Sequence, residues 1–172
     1  MLISLIIVIV FILSFFGGLK EGAVKNFFGL LGLLIAIPLS GLYYKLMAGF
    51  LSFLPGDNWE NFFGFYIVLT ILVVIFTLIF MVPRRIIRTI WGKGLLYRLI
   101  GGVIGVFYGA VAITLFALVT FTYPVFDFLA RWLAGSGVIE WLVDTFSFVQ
   151  SMLPEVFEKS VSSFTSLISF QL

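Results

Sequence analysis

Between Phe62 and Val82 the chain runs without one charged side chain, and three further apolar stretches flank that segment. A helix needs roughly 20 apolar residues to cross about 30 Å of hydrocarbon. In lipid every backbone N–H and C=O must find its partner inside the protein, which leaves helices as the economical solution for such segments. The spans are expected at Leu2 to Leu19, Gly22 to Leu42, Phe62 to Val82 and Leu99 to Tyr123. Composition agrees: 62% of the 172 residues are hydrophobic, 10% are charged and the mean hydropathy is +1.25. The N-terminal stretch has no Lys or Arg ahead of its apolar run and no small-residue cleavage site after it. It is therefore expected to persist as the first span rather than be removed as a signal peptide.

Charge placement orients the spans. Lys20 and Lys25 flank the first connection, and Arg84, Arg85, Arg88, Lys93 and Arg98 crowd the third, whereas the second holds Asp57 and Glu60 with only Lys45 nearby. Positively charged loops stay cytoplasmic, so both termini are expected outside and the two basic connections inside. Tyr43, Tyr44 and Lys45 read as an interfacial belt where the second span leaves the membrane, with Pro38 kinking the helix near that exit. From residue 125 onward Arg131 and Lys159 face Asp127, Glu140, Asp144, Glu155 and Glu158, a net of 2 − 5 = −3. Glu140, Asp144, Ser147 and Ser151 recur at helical spacing opposite Ile139, Trp141, Leu142, Val143, Phe146 and Val149, and a last segment sets Val161, Phe164 and Ile168 against serines. The expected architecture is an all-α membrane protein of about four transmembrane helices followed by amphipathic extracytoplasmic helices. Residues 1–124 form the spanning domain, and residues 125–172 lie at the outer membrane–water interface.

Small residues mark the contacts. Gly101, Gly105 and Gly109 share one face of the fourth span, a pattern that lets helix backbones approach closely in lipid. Two partners are open for that face. One is the second span within the chain, through Gly29, Gly32, Ala36 and Ser40; the other is a second copy or another membrane protein. Gly18, Lys20, Glu21 and Gly22 read as a tight hairpin turn, either a lysine-anchored hairpin or an ion-pathway group. Arg84, Arg85, Arg88, Lys93 and Arg98 are expected to anchor the cytoplasmic side or to bind anionic lipid headgroups.

Several chemistries are excluded. The chain has no Cys and no His, so thiolate, imidazole and the usual zinc chemistry are missing. Gly92-Lys93-Gly94 lacks the rest of a phosphate-binding loop, and Gly135-Ser136-Gly137 has no partner histidine for a nucleophile elbow. No Asp or Glu lies inside an expected span. A formal charge of +2 gives no basis for nucleic-acid binding. No enzymatic activity, cofactor or metal is expected.

The order Gly18-x-Lys20-x-Gly22-x-x-Lys25, then a basic loop, then Leu96-Tyr97-Arg98-Leu99-x-Gly101-x-x-x-Gly105-x-x-x-Gly109 resembles the colicin V production (CvpA) family. The resemblance covers roughly residues 1 to 150. It implies a bacterial inner-membrane protein of about four spans, associated with export of a peptide toxin and with envelope physiology, in a stand-alone form without a protease domain. Where that family often has an Asp early in the first span this chain has Ser4. Where it has a basic residue before the second hairpin glycine this chain has Glu21, and where it has an Asp before the arginine of the fourth span this chain has Tyr97. The expected role is a non-enzymatic scaffold or accessory factor in toxin or peptide export and envelope maintenance. Its expected partners are membrane lipid, anionic phospholipid included, other membrane proteins and further copies of itself. The alternatives are a small homo-oligomeric channel or transporter, for which only Thr70, Thr77 and Thr114 offer deep hydroxyls, and a lipid-binding membrane protein.

Overall fold

The computed structural model describes residues 2–91 and 94–154. Lys93 and the segment around Val161, Phe164 and Ile168 lie outside the described residues. The elements are α1 (Leu2–Glu21), α2 (Ala23–Phe50), α3 (Asp57–Ile79), α4 (Met81–Trp91), α5 (Leu95–Thr122), α6 (Asp127–Ala134), α7 (Gly137–Thr145) and α8 (Ser147–Ser151). No strand occurs among the described residues. Four helices, α1, α2, α3 and α5, are long and apolar enough to cross a membrane.

The helices pair as α1 with α5 and α2 with α3, and α2 against α5 joins the two pairs; α1 and α2, adjacent in sequence, touch little. The interior is filled by Leu33, Ile37, Phe65, Val111, Leu115 and Leu118 among others. Leu5, Leu13, Leu42, Leu46, Val74 and Leu78 point outward, the arrangement of apolar faces that hydrocarbon solvates.

The ends of the second and third spans and the setting of Tyr44 differ from those read in the sequence. The second span does not leave at Tyr43; α2 continues to Phe50, so Pro38 sits mid-helix rather than near an exit. Tyr44 is not part of an outward belt. It is buried at 3% exposure, its hydroxyl accepts a 2.9 Å hydrogen bond from the Tyr123 hydroxyl, and its ring packs on Phe65. Inward burial with a hydrogen-bonded hydroxyl is the other stable solution for a tyrosine near a membrane boundary; Tyr43 and Lys45 stay exposed. The third span ends at Ile79, just ahead of Pro83. Proline has no N–H to offer the Ile79 carbonyl, and after the break at Phe80 the chain resumes as α4.

Beyond Pro124, α6, α7 and α8 fold back on the far end of the bundle. Leu133, Ile139, Leu142, Phe146, Val149 and Leu153 belong to the same core as the spans, and Pro154 lies so close to Gly41 that a Cβ there would sit 2.4 Å from its ring. The helices up to Ser151 therefore cap the spans. Glu140, Asp144, Ser147 and Ser151 face outward as their spacing predicts. Trp141 departs from the expected apolar face and is 59% exposed beside them.

Candidate functional site

The polar groups of the bundle gather at the end formed by the α1–α2 joint, the α3–α4 break and the start of α5. The joint is tighter than the five-residue turn read in the sequence. Helix α1 remains helical through Glu21, and Gly22 alone separates it from α2. Gly22 has φ 82 and ψ 166, a conformation essentially restricted to glycine, and the Tyr97 ring occupies the space a Cβ would need. The last carbonyls of α1 are satisfied locally. The Gly18 oxygen accepts from the Gly22 amide at 2.8 Å and from Asn26 Nδ2 at 3.2 Å; the same carboxamide donates to the Gly22 oxygen at 3.0 Å. Asn26 thus caps the helix end that Gly22 leaves open. The sequence reading passed over it, although a lone carboxamide at the head of an apolar span is a signal that a backbone group nearby needs a partner.

Helix α5 enters this joint through its glycines. A Cβ at Gly101 would stand 2.6 Å from both the Gly18 oxygen and the Gly22 carbonyl carbon, one at Gly105 would stand 2.5 Å from the Ser14 oxygen, and one at Gly109 would stand 2.7 Å from Ser14 Oγ. The glycine face is therefore buried against α1, backbone on backbone. It does not pack on the small-residue stripe of α2, the partner considered within the chain. On α2, Gly32 instead faces Phe76 of α3, 3.2 Å from where a Cβ would stand, and Gly29 faces the Tyr108 ring, 3.9 Å from where a Cβ would stand. A stripe of small residues accommodates a facing ring as readily as a facing backbone, so spacing alone does not assign its partner. A third close crossing, at Gly64 of α3, where an added Cβ would stand 3.0 Å from backbone atoms of Tyr44 and Ala48, carries no periodic signal.

Around the joint lie three adjoining cavities. One of about 310 Å³ runs between the spans and is lined by Glu21, Lys25, Asn26, Thr77, Arg84 and Tyr108 together with Ser14 and small or apolar residues. One of about 850 Å³ lies beside α4, where Lys25, Arg84, Arg85 and Arg88 converge with Thr77, Met81 and Thr89. The third, about 510 Å³, brings Lys20, Arg88 and Arg98 to Glu21 and Tyr97. Glu21, Lys25, Arg84 and Arg88 each line two of the three. Helix α4 delivers the arginines because the break at Phe80 turns it over the start of α2, which it contacts.

Among the described residues, six cationic side chains, Lys20, Lys25, Arg84, Arg85, Arg88 and Arg98, thus share this end with one carboxylate, Glu21. Glu21 is already engaged in an ion pair with Lys25, half-exposed on both sides. Lys20, Glu21 and Lys25 are exposed at the rim of this end. Arg84 is held differently from its neighbours. Its Nη2 donates to the Thr77 carbonyl at 3.0 Å, while its Nε is buried with no partner. Leaving such a donor unmatched costs about 1–3 kcal/mol, more for a charged group. An anionic oxygen is the natural complement to that edge of a guanidinium. No cluster of three or more metal-ligating side chains exists among the described residues. Of the three hydroxyls expected deep in the spans, Thr114 Oγ1 donates to Ala110 O, Thr70 is exposed on the outer face and donates to Tyr66 O, and Thr77 lines the first two cavities.

Comparison with curated proteins and with solved structures returns no match. The family model described as Colicin V production protein matches residues 3–147, from the first turns of α1 through α7 and including every cavity-lining residue named above. A multi-pass membrane protein by its four spans, the chain belongs to the colicin V production protein family.

Proposed function

We propose that the protein is a non-enzymatic scaffold or accessory factor of the bacterial inner membrane, serving toxin or peptide export and envelope maintenance. In this reading the basic end is cytoplasmic, in keeping with the positive-inside rule, and both termini are outside. The observation that carries the reading is the packed middle of the bundle, where Ile37, Phe65, Val111, Leu115 and Leu118 fill the space between the spans and the polar cavities stay at one end. Thr114, the buried hydroxyl among Thr70, Thr77 and Thr114, bonds to a carbonyl of its own helix, which supports a single copy that presents surfaces rather than a hydrated lane through its middle. The surfaces left for partners are the basic end and the outer faces of α6 to α8.

The test is isolation of the protein from its own membrane in a lipid-preserving system, with every co-purifying species identified. A stoichiometric second membrane protein is the expected result. A ring of identical copies would instead favour an oligomeric channel and count against the scaffold.

A further inference from the structure

We propose that the basic end binds a phosphate group, carried by the headgroup of an anionic phospholipid seated against α4. The site stands on its own geometry and does not depend on the export role. Arginines arriving from α4 meet Lys25 from α2 in one cavity of about 850 Å³, a concentration of positive charge that a bound anion relieves. Among them Arg84 is pre-positioned, since the Thr77 carbonyl fixes one edge of its guanidinium while the buried Nε lacks a partner. A phosphate oxygen would complete that group at little further ordering cost.

The source of the phosphate follows from what surrounds the charges. On α4, Val82 and Ile86 are exposed at 66% and 58%, one turn apart beside the face that carries Arg84, Arg85 and Arg88. A basic amphipathic helix of this kind lies in the headgroup region, its apolar side among acyl chains and its cations at the phosphates. Free phosphate would use the cations and leave the apolar strip without a role. Glu21 opposes binding: it stands at the rim of the neighbouring cavities and holds Lys25 in an ion pair.

The experiment titrates the full chain, in a non-ionic detergent, with phosphatidylglycerol, phosphatidylcholine or inorganic phosphate, and counts bound molecules by native mass spectrometry. Saturable binding of phosphatidylglycerol in preference to phosphatidylcholine is expected. Arg88→Gln, at an exposed position, should weaken it about tenfold, the value of one charge-assisted hydrogen bond. Glu21→Gln, which frees Lys25 and removes the opposing charge, should tighten it roughly threefold. Thermal unfolding of both variants checks that the fold is retained. Equal binding of the two lipids, or no change in either variant, would overturn the site. Displacement of phosphatidylglycerol by inorganic phosphate of equal affinity would overturn the lipid as the source of the phosphate.

Discussion

Two glycine-to-alanine substitutions separate a helix contact that depends on backbone approach from one that does not. At Gly105 the new Cβ would lie 2.5 Å from the Ser14 oxygen and 3.1 Å from the Gly18 Cα, where ordinary contact begins at 3.4 Å. The shortfall to the oxygen is 3.4 − 2.5 = 0.9 Å, and both neighbours are backbone, so no rotamer change relieves it. Helices α1 and α5 must move apart, which loosens the Gly18–Gly101 crossing as well. Overpacking of this kind costs typically 1–3 kcal/mol. The two crossings moving together place Gly105→Ala near the upper figure, less about 1 kcal/mol that alanine returns by restricting the unfolded chain. The net is a loss of about 2 kcal/mol. Gly17 is on α1 with nothing within 4 Å of its would-be Cβ, so Gly17→Ala keeps the gain and suffers no clash. The two variants should differ by about 3 kcal/mol in detergent-induced unfolding followed in mixed micelles. A Gly105→Ala protein as stable as Gly17→Ala would refute the backbone crossing.

Three other outcomes follow from the same geometry. Tyr123→Phe removes the buried hydrogen bond to Tyr44 and should lower stability by about 1 kcal/mol, with part of the loss recovered in the Tyr44→Phe/Tyr123→Phe double variant; an unchanged single variant would show that the bond contributes nothing. Asn26→Leu uncaps the Gly18 and Gly22 carbonyls at the α1–α2 joint, and hydrogen exchange over residues 18–26 should accelerate while the middle of α5 keeps its protection. Uniform protection would contradict the capping role. For sidedness, a cysteine at Thr89 should resist a membrane-impermeant thiol reagent in intact cells and one at Ser147 should react; the opposite labelling would invert the proposed topology.

How much of this was legible in the sequence varies with the range of the interaction. The spans follow from local composition, since a charge-free run such as Phe62 to Val82 has only one solvent in which it is stable. Composition places the end of the third span at Val82 rather than Ile79, because it stays apolar up to Pro83, while the break at Phe80 follows from the hydrogen bond that the proline cannot donate. Partner choice was not visible. Gly101, Gly105 and Gly109 announce a close approach without naming the other backbone. The stripe on α2 matched them in spacing, yet in three dimensions it receives Phe76 and Tyr108. Tyr44 was misplaced for a related reason, because a tyrosine beside a lysine reads as an interfacial anchor until its hydroxyl finds Tyr123 across the bundle. The basic residues were identified one by one; their convergence depends on the turn of α4 over α2, a long-range packing event that local patterns do not encode.

The central structural claim is that the glycine face is used within the chain, leaving the polar end and the cap as its working surfaces. Because the sequence contains no cysteine, a pair introduced as Ser14→Cys and Gly109→Cys reports on that face alone. A Cβ at position 109 would lie 3.2 Å from that of residue 14, so a shift of a few tenths of an ångström brings the pair to the roughly 3.5–4.5 Å that a disulfide spans. Mild oxidation in native membranes should give an intramolecular bond, seen as a reduction-sensitive shift of the monomer band. A covalent dimer in place of that shifted monomer would contradict the account.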